Sequence, residues 1–381
     1  MKSKYFTNNC IYSCFFIFVL ALFIISCESD SSTNNDESQN QKLINQMKEV
    51  TDSIVKNTDI PGIVALVVDH KRGIDWLYES GYSDLEQKIP MDKDYTFRIA
   101  SNTKTMTVTV LLQLVAEGKL SLNDTLSKWY PEFKSSEKIT IAMLCNMTSG
   151  YFNYTNDEEF KNIEEEQPDK IWKPMELIDL GLSHDLVFEP GKGLHYSNTN
   201  LIILGLLIEK ITGNSLQTEI QNRIITPLKL TNTNFLTSGI ELPGVHGKGY
   251  YTNESVKNKE VTEYADVSKA WAAGSAYSTP RELQKYIEAV VNGELLTDSI
   301  QQIRLNDYLY VNDEIMSYGL GIMKLGSFYG HNGEITGFTS TMFHSKKYNC
   351  TIIIYFNTES ITSSPDYLLN RFFSILFNND I

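Results

Sequence analysis

The chain opens with an almost unbroken apolar run from Ile11 to Ile25, preceded by Lys2 and Lys4 and closed by Ser26-Cys27. The run is short for a membrane span and reads as a signal peptide over residues 1–26. Residues 28–41 are polar throughout and cannot bury enough surface to order themselves, so 27–41 is expected to be a flexible tether. From Lys42 the pattern changes. Leu43, Ile44, Met47, Val50, Ile54 and Val55 recur at helical spacing and predict a helix over 42–56. Pro61-Gly62 turns the chain into Ile63–Val68, a buried strand. Asp69–Gly73 is a polar turn, Ile74–Tyr78 pairs back as a hairpin, and Gly81–Asp84 is the exit loop.

Further along, a strand-like run from Tyr95 to Ala100 meets an apolar stretch of helical spacing, Val108, Leu111, Leu112, Leu114 and Val115. That helix stops at Glu117-Gly118. Ile139–Cys145 is a second helix candidate, closed by Thr148-Ser149-Gly150. Residues 151–170 are polar and aromatic, with Glu164-Glu165-Glu166 in sequence. They read as a solvated surface, the alternative being a loop that gates a site. Leu201, Ile202, Leu204, Leu206, Ile208 and Ile211 mark a strongly apolar helix ending at Gly213. Ala272–Thr279 is small and close-packing, and Pro280 starts a helix that ends at Asn292-Gly293. Strand patterns return at 318–322, 328–334, 338–343 and 351–356, followed by an amphipathic helix through Leu368, Phe372 and Phe377. Strands at both ends with helices between predict an α/β (α+β) fold. One sheet is built from both termini, and a helical lobe is inserted at about 110–260.

Charge narrows the function. The formal net charge is −14, and no basic cluster offsets it, so no nucleic-acid partner is expected. Removing the leader takes two lysines and no acid, which leaves the mature chain more acidic still. Of five cysteines, Cys10 and Cys14 leave with the leader. Cys145 and Cys350 could pair outside the cytosol; their apolar neighbours favour two buried free thiols. His70, His184, His195, His246 and His344 fit no ligand spacing, so neither a metal nor a cofactor is expected.

The chemistry concentrates at Ser101-Asn102-Thr103-Lys104. At the start of a helix, residues three apart share a face, so the Ser101 hydroxyl and the Lys104 amine can meet. Serine needs a neighbouring base to become a nucleophile, and lysine can be that base when burial lowers its pKa. Backbone donors at the helix start favour a developing oxyanion. Two later stretches add weight: Tyr196-Ser197-Asn198 in a loop before the apolar helix, and His331-Asn332-Gly333 at a strand bend.

In this order the three stretches resemble the motifs of the penicillin-recognising serine hydrolases, in particular the group of class C β-lactamases, DD-carboxypeptidases, D-aminopeptidases and related esterases. Phe97-Arg98-Ile99-Ala100, Asn146–Gly150, Phe188-x-Pro190-Gly191 and Gly337-Phe338 also resemble that group, and the likeness runs from about Ile44 to Phe377. It implies a β-lactamase/transpeptidase-like fold, an antiparallel sheet flanked by helices plus an all-helical lobe, with the site in the cleft between. It implies Ser101 as the acylated nucleophile, with Lys104 and Tyr196 moving its proton. Asn198 would bind the substrate amide. His331 and Asn332 would face the substrate carboxylate or leaving group. Backbone N–H groups of Ser101 and Glu334, beside Gly333, would form the oxyanion hole. True class C β-lactamases have Lys-Thr-Gly at the third motif. His-Asn-Gly here resembles peptidases and uncharacterised hydrolases, and histidine is a weaker fixed cation than lysine. Ser26-Cys27 resembles a bacterial lipobox, which implies a lipid on Cys27 and anchoring in the cell envelope.

These readings predict a monomeric amide hydrolase of the DD-carboxypeptidase or D-amino-acid peptidase type, with a small peptide, β-lactam or ester as substrate. An esterase or a weak β-lactamase would use the same acyl-enzyme. A catalytically idle binding protein would keep the fold, but packing alone does not ask for Ser101, Lys104 and Tyr196 together.

Overall fold

The computed structural model describes residues 31–308, 310–311, 316–360 and 364–378. The expected leader and Cys27 lie outside these residues. The main sheet has nine strands, all antiparallel to their neighbours, in the order β3-β2-β1-β14-β13-β12-β11-β10-β9. β1 (Gly62–Asp69), β2 (Ile74–Asp84) and β3 (Ile89–Pro90) come from the start of the chain. β9 (Tyr310–Val311), β10 (Met316–Tyr318), β11 (Met323–Leu325), β12 (Phe328–Ile335), β13 (Phe338–Ser345) and β14 (Cys350–Phe356) come from its end. The two sets join where β1 pairs with β14, Ile63 opposite Phe356 and Asp69 opposite Cys350. Six short strands form two small side sheets: β4 (Phe97–Arg98), β5 (Asn234–Phe235) and β8 (Ala276–Ser278) in one, β6 (Tyr250–Thr252), β7 (Lys259–Glu260) and β15 (Thr358–Ser360) in the other.

β1 is buried at every position because both faces of the sheet are covered. Ile63, Ala65 and Val67 pack with residues of α1 (Ser31–Asn57) and α10 (Pro365–Phe377). Val64, Leu66 and Val68 face the core of α2 (Thr103–Ala116) and α8 (Pro280–Asn292). The rest of that core belongs to the helical lobe: α3 (Ile141–Cys145), α4 (Glu158–Glu166), α5 (Pro174–Ser183), α6 (Asn198–Thr212) and α7 (Leu216–Ile220), with α9 (Asp298–Gln302) beyond α8.

Several expectations shift. α1 begins at Ser31, inside the stretch expected to be a tether. Neither proline nor glycine interrupts residues 31–57, so the packed turns extend backward, and Asn40 Nδ2 already donates to the Arg72 carbonyl at 2.7 Å. β2 runs on through Gly81–Asp84, read as a loop. The strand expected at 318–322 ends at Tyr318. Gly321 takes φ +62° and a Cβ there would lie 2.5 Å from Val108, so a glycine turn presses against α2. Residues 95–100 contain only the two-residue β4. Glu164 is not solvated: its Oε2 is 2.6 Å from Lys269 Nζ, and its Oε1 accepts from Trp172 Nε1 at 3.0 Å. Cys145 and Cys350 are buried free thiols.

Candidate active site

Ser101 sits in a 3-10 turn, Ala100–Asn102, that leads directly into α2. Ala100 has φ +49°, a left-handed conformation that an alanine adopts only under constraint. The constraint is visible. Asn102 Nδ2 donates to the Ile99 carbonyl and to Ser340 Oγ, both at 2.8 Å, and Thr103 Oγ1 donates to the Ala100 carbonyl at 2.7 Å. β12 closes in from the other side. A Cβ on Gly333 would fall 2.5 Å from the Ile99 carbonyl oxygen and 2.9 Å from the Ser101 nitrogen. Only a residue without a side chain lets the strand backbone come this near the serine.

Lys104 is fully buried. Its Nζ is 2.7 Å from Ser101 Oγ and donates to the Ala273 carbonyl at 2.8 Å. The small residues at 272–274 allow this approach, and Thr107 Oγ1 ties the same segment through the Ala272 carbonyl at 2.7 Å. Burial holds the Lys104 amine well below its ordinary pKa, because the charged form loses its hydration. The Tyr196 ring lies beside the amine, 4.9 Å from Nζ to the centroid. Burial pushes the Tyr196 phenol up, and a hydrogen bond with Ser101 pulls it partly back. Nucleophile, amine and phenol therefore converge, an arrangement that can move a proton off the hydroxyl and later return one to a leaving group.

Ser101 stands between two cavities. The larger, about 600 Å³, is lined by Tyr196, Asn198, Tyr318, Asn332, Glu334 and Asp366 among others. The smaller, about 190 Å³, is bounded by Tyr154, Phe160, Lys269, Gly274 and Glu359. Asn198 borders both and is held where α6 begins, its backbone N–H donating to Asn153 Oδ1 at 3.0 Å. β11 pairs with β12 only as far as Gly330. Residues 331–335 of β12 therefore have no strand on that side among the described residues, and Asn332, Gly333 and Glu334 line the larger cavity.

His331 is not where the sequence placed it. It is fully buried, behind Tyr318 rather than on the cavity surface. Its Nδ1 donates to the Asn332 carbonyl at 2.5 Å, and its Nε2 lies 3.0 Å from the Tyr318 hydroxyl. Burial first, and the nearby Lys104 second, depress its pKa to about 3, so the ring is neutral. Alternation along β12 is the cause: successive side chains point to opposite faces, so His331 and Asn332 cannot both face a substrate. Asn332 turns toward α10, its Nδ2 donating to Asp366 Oδ2 at 2.8 Å. Asp366 and Tyr318 are cavity residues that the sequence reading missed. Asp366 lies just before the apolar positions that mark the last helix, and Tyr318 reads only as one position of a strand. Glu334 is pushed above the usual carboxylate range by burial and by the charge of Asp366. Asp366 is raised by burial, partly offset by Asn332. Among the described residues no lysine or arginine lines the larger cavity.

The geometry has counterparts. A model of the family described as Beta-lactamase matches residues 43–369. A D-stereospecific amidohydrolase from Streptomyces sp. superposes with a TM-score of 0.78 at 29% identity, over 88% of this chain and 99% of that one. A D-amino acid amidase from Ochrobactrum anthropi SV3, in complex with L-phenylalanine amide, gives 0.77 at 26% identity, over 89% and 100%. Protein flp of Staphylococcus aureus (strain COL) is 26% identical over 339 residues, 84% of this chain and 65% of its own length. The chain thus spans somewhat under two thirds of that relative. A putative penicillin-binding protein, PbpX of Bacillus subtilis (strain 168), is 25% identical over 327 residues, 84% of this chain and 75% of that one.

Proposed function

The chain belongs to the Beta-lactamase family of serine hydrolases, and from that premise we propose that it cleaves amide bonds of D-amino-acid derivatives through an acyl-enzyme on Ser101. The observation that carries this reading is the fully buried Lys104 amine, 2.7 Å from the Ser101 hydroxyl. An amine whose charged form burial disfavours takes the hydroxyl proton as Ser101 Oγ attacks the substrate carbonyl. In this reading the backbone N–H groups of Ser101 and Glu334 meet the oxyanion, which the close approach of Gly333 to the Ser101 nitrogen supports. Collapse breaks the C–N bond, the leaving amine takes a proton through Tyr196, and an ester remains on Ser101. Water then attacks that ester, its proton returns to the Lys104–Tyr196 pair, and Ser101 leaves with its proton restored. Asn198 donates to the substrate amide.

The likeness to the D-stereospecific amidohydrolase and the D-amino acid amidase supports a D-configured substrate. The larger cavity supports a substrate with a free amino group over one with a free carboxylate. Its wall carries Glu334 and Asp366 and no lysine or arginine among the described residues. Asn332, its amide N–H engaged by Asp366, adds a carbonyl acceptor. A DD-carboxypeptidase, which must hold a terminal carboxylate, is the second reading, favoured by the penicillin-binding relative.

The test is intact-mass spectrometry and product analysis with D-alanine amide, its N-acetyl form, an acetylated D-Ala-D-Ala peptide, a β-lactam and a p-nitrophenyl ester. Release of D-alanine from the free amide, lost in Ser101→Ala by about 10⁴-fold or more, is the expected result. Cleavage confined to the acetylated dipeptide would establish the carboxypeptidase instead, and turnover of the ester alone would remove both peptide readings.

A further inference from the structure

Tyr318 has the contacts of a working residue. It is buried, yet it lines the larger cavity. Its ring packs edge-on against Tyr196, with centroids 6.1 Å apart at 83°, and against His331, 5.6 Å apart at 87°. Its hydroxyl is 3.0 Å from His331 Nε2. The proton on that imidazole can be placed. Nδ1 lies 2.5 Å from a carbonyl oxygen, which only accepts, so Nδ1 carries the hydrogen. In a neutral ring Nε2 is then an acceptor, and the tyrosine O–H must donate to it.

We propose that Tyr318 is a positioning residue of this active site: its hydroxyl completes the Nδ1–H tautomer of His331, and its ring edge fixes the Tyr196 phenol opposite Ser101. The inference rests on the acyl-enzyme reading above, to which it adds a residue and a proton assignment. The groups that face His331 are Lys104 from α2, Tyr196 from the loop before α6 and Tyr318 from β10. A protonated His331 would set a cation beside Lys104 and make its amine a poorer acceptor of the Ser101 proton. The Tyr318 hydroxyl, donated into Nε2, favours the neutral ring. Behind Tyr318 stands the fully buried Arg304, with Cys145 nearby. Arg304 bonds Thr109 Oγ1 at 2.7 Å and the Thr105 carbonyl at 3.3 Å on the helix that carries Lys104. Burial first, then the Tyr196 and Cys145 groups, push the Tyr318 phenol well up, and the Arg304 charge offsets this only in part, so the hydroxyl keeps the proton it donates. Tyr318 thus touches both the third motif and the tyrosine of the second.

Nitrogen-15 spectra of histidine-labelled protein test the assignment, with the His331 signals identified by their loss in His331→Asn. The native ring should stay neutral, protonated on Nδ1 alone, from about pH 9 down to about pH 5. In Tyr318→Phe, which keeps the ring edge, the Nε2 signal should shift as its donor disappears. Acylation should slow about tenfold, the worth of roughly one hydrogen bond, with KM within about twofold. Tyr318→Leu, which also loses the ring edge, should slow it further. A proton found on Nε2 in the native protein, or acylation of Tyr318→Phe at the native rate, would overturn the inference. If the native protein forms no adduct at Ser101, the enzymatic reading fails, and the spectra still decide the hydrogen bond.

Discussion

The two walls of the cleft were read from the same chain by the same kind of motif, and they differ in how the motif maps onto space. On the lobe wall Ser101 and Lys104 are neighbours along one helix start, and their spacing alone dictates that they meet. On the sheet wall His331, Asn332 and Gly333 are neighbours along a strand, and their spacing dictates that they part. His331 turns inward to Tyr318, Asn332 turns to Asp366, and Gly333 serves by having no side chain at all. A helical motif therefore carries its chemistry wherever the helix starts, whereas a strand motif depends on which face each register position presents. The lobe wall should thus act on acylation through side chains, and the sheet wall in two ways, its backbone at Gly333 on acylation itself and the side chains of its rim on which substrate is chosen.

The largest test of that division is Gly333→Ala. The added methyl has no room beside Ile99 and Ser101 and should push β12 off the nucleophile. A displacement of this kind costs about 100-fold in kcat/KM, and the loss should be shared by amide and ester substrates. An unchanged rate would mean that the strand backbone plays no part in the oxyanion hole.

Next comes pH. His331 and His344 are buried and neutral, with pKa values lowered to about 3 and about 4, chiefly by burial. Unfolding returns both to ordinary values, so between those limits the unfolded chain binds more protons, and stability falls as pH falls. From about pH 7 to about pH 5 each ring should remove about 2 kcal/mol from the free energy of unfolding. Urea titrations across this range measure the slope, and His331→Asn should flatten it. A slope that is the same in the variant would mean that His331 is charged in the folded state.

The smallest effect sharpens the contrast most. Asp366→Asn leaves Ser101 and Lys104 untouched. It should reduce the preference for D-alanine amide over its N-acetyl form about tenfold, as an ammonium loses one carboxylate. A drop in both rates alike would place Asp366 with the catalytic wall instead.

Much of the frame was legible before the structure. Apolar runs such as Ile63–Val68 and Thr351–Phe356 announce strands covered on both faces, and the spacing of Leu368, Phe372 and Phe377 announces the last helix. The meeting of Ser101 and Lys104 could be expected from their spacing, whereas Tyr196 joined them only through the family resemblance. What stayed hidden depends on contacts far apart in the chain. Ala100 turns left-handed only because Asn102 and Ser340 hold it from opposite ends of the sequence. Glu164 leaves solvent only because Lys269 waits across the lobe. Tyr318 and Asp366 join the cavity through the register of β10 and the docking of α10, neither of which leaves a mark in local periodicity.

The pairing of β1 with β14 also has a consequence in time. Its partners are separated by nearly the whole chain, from Ile63 to Phe356. Closing so long a loop is slow, and during synthesis it must wait for the last strand of the main sheet to emerge. Until then β12 has no seat beside the turn that holds Ser101, and the lobe can gather its helices without a finished nucleophile site. Assembly of the protein and the onset of its chemistry should be one late event, which spares a half-made chain from acylating itself on whatever it meets.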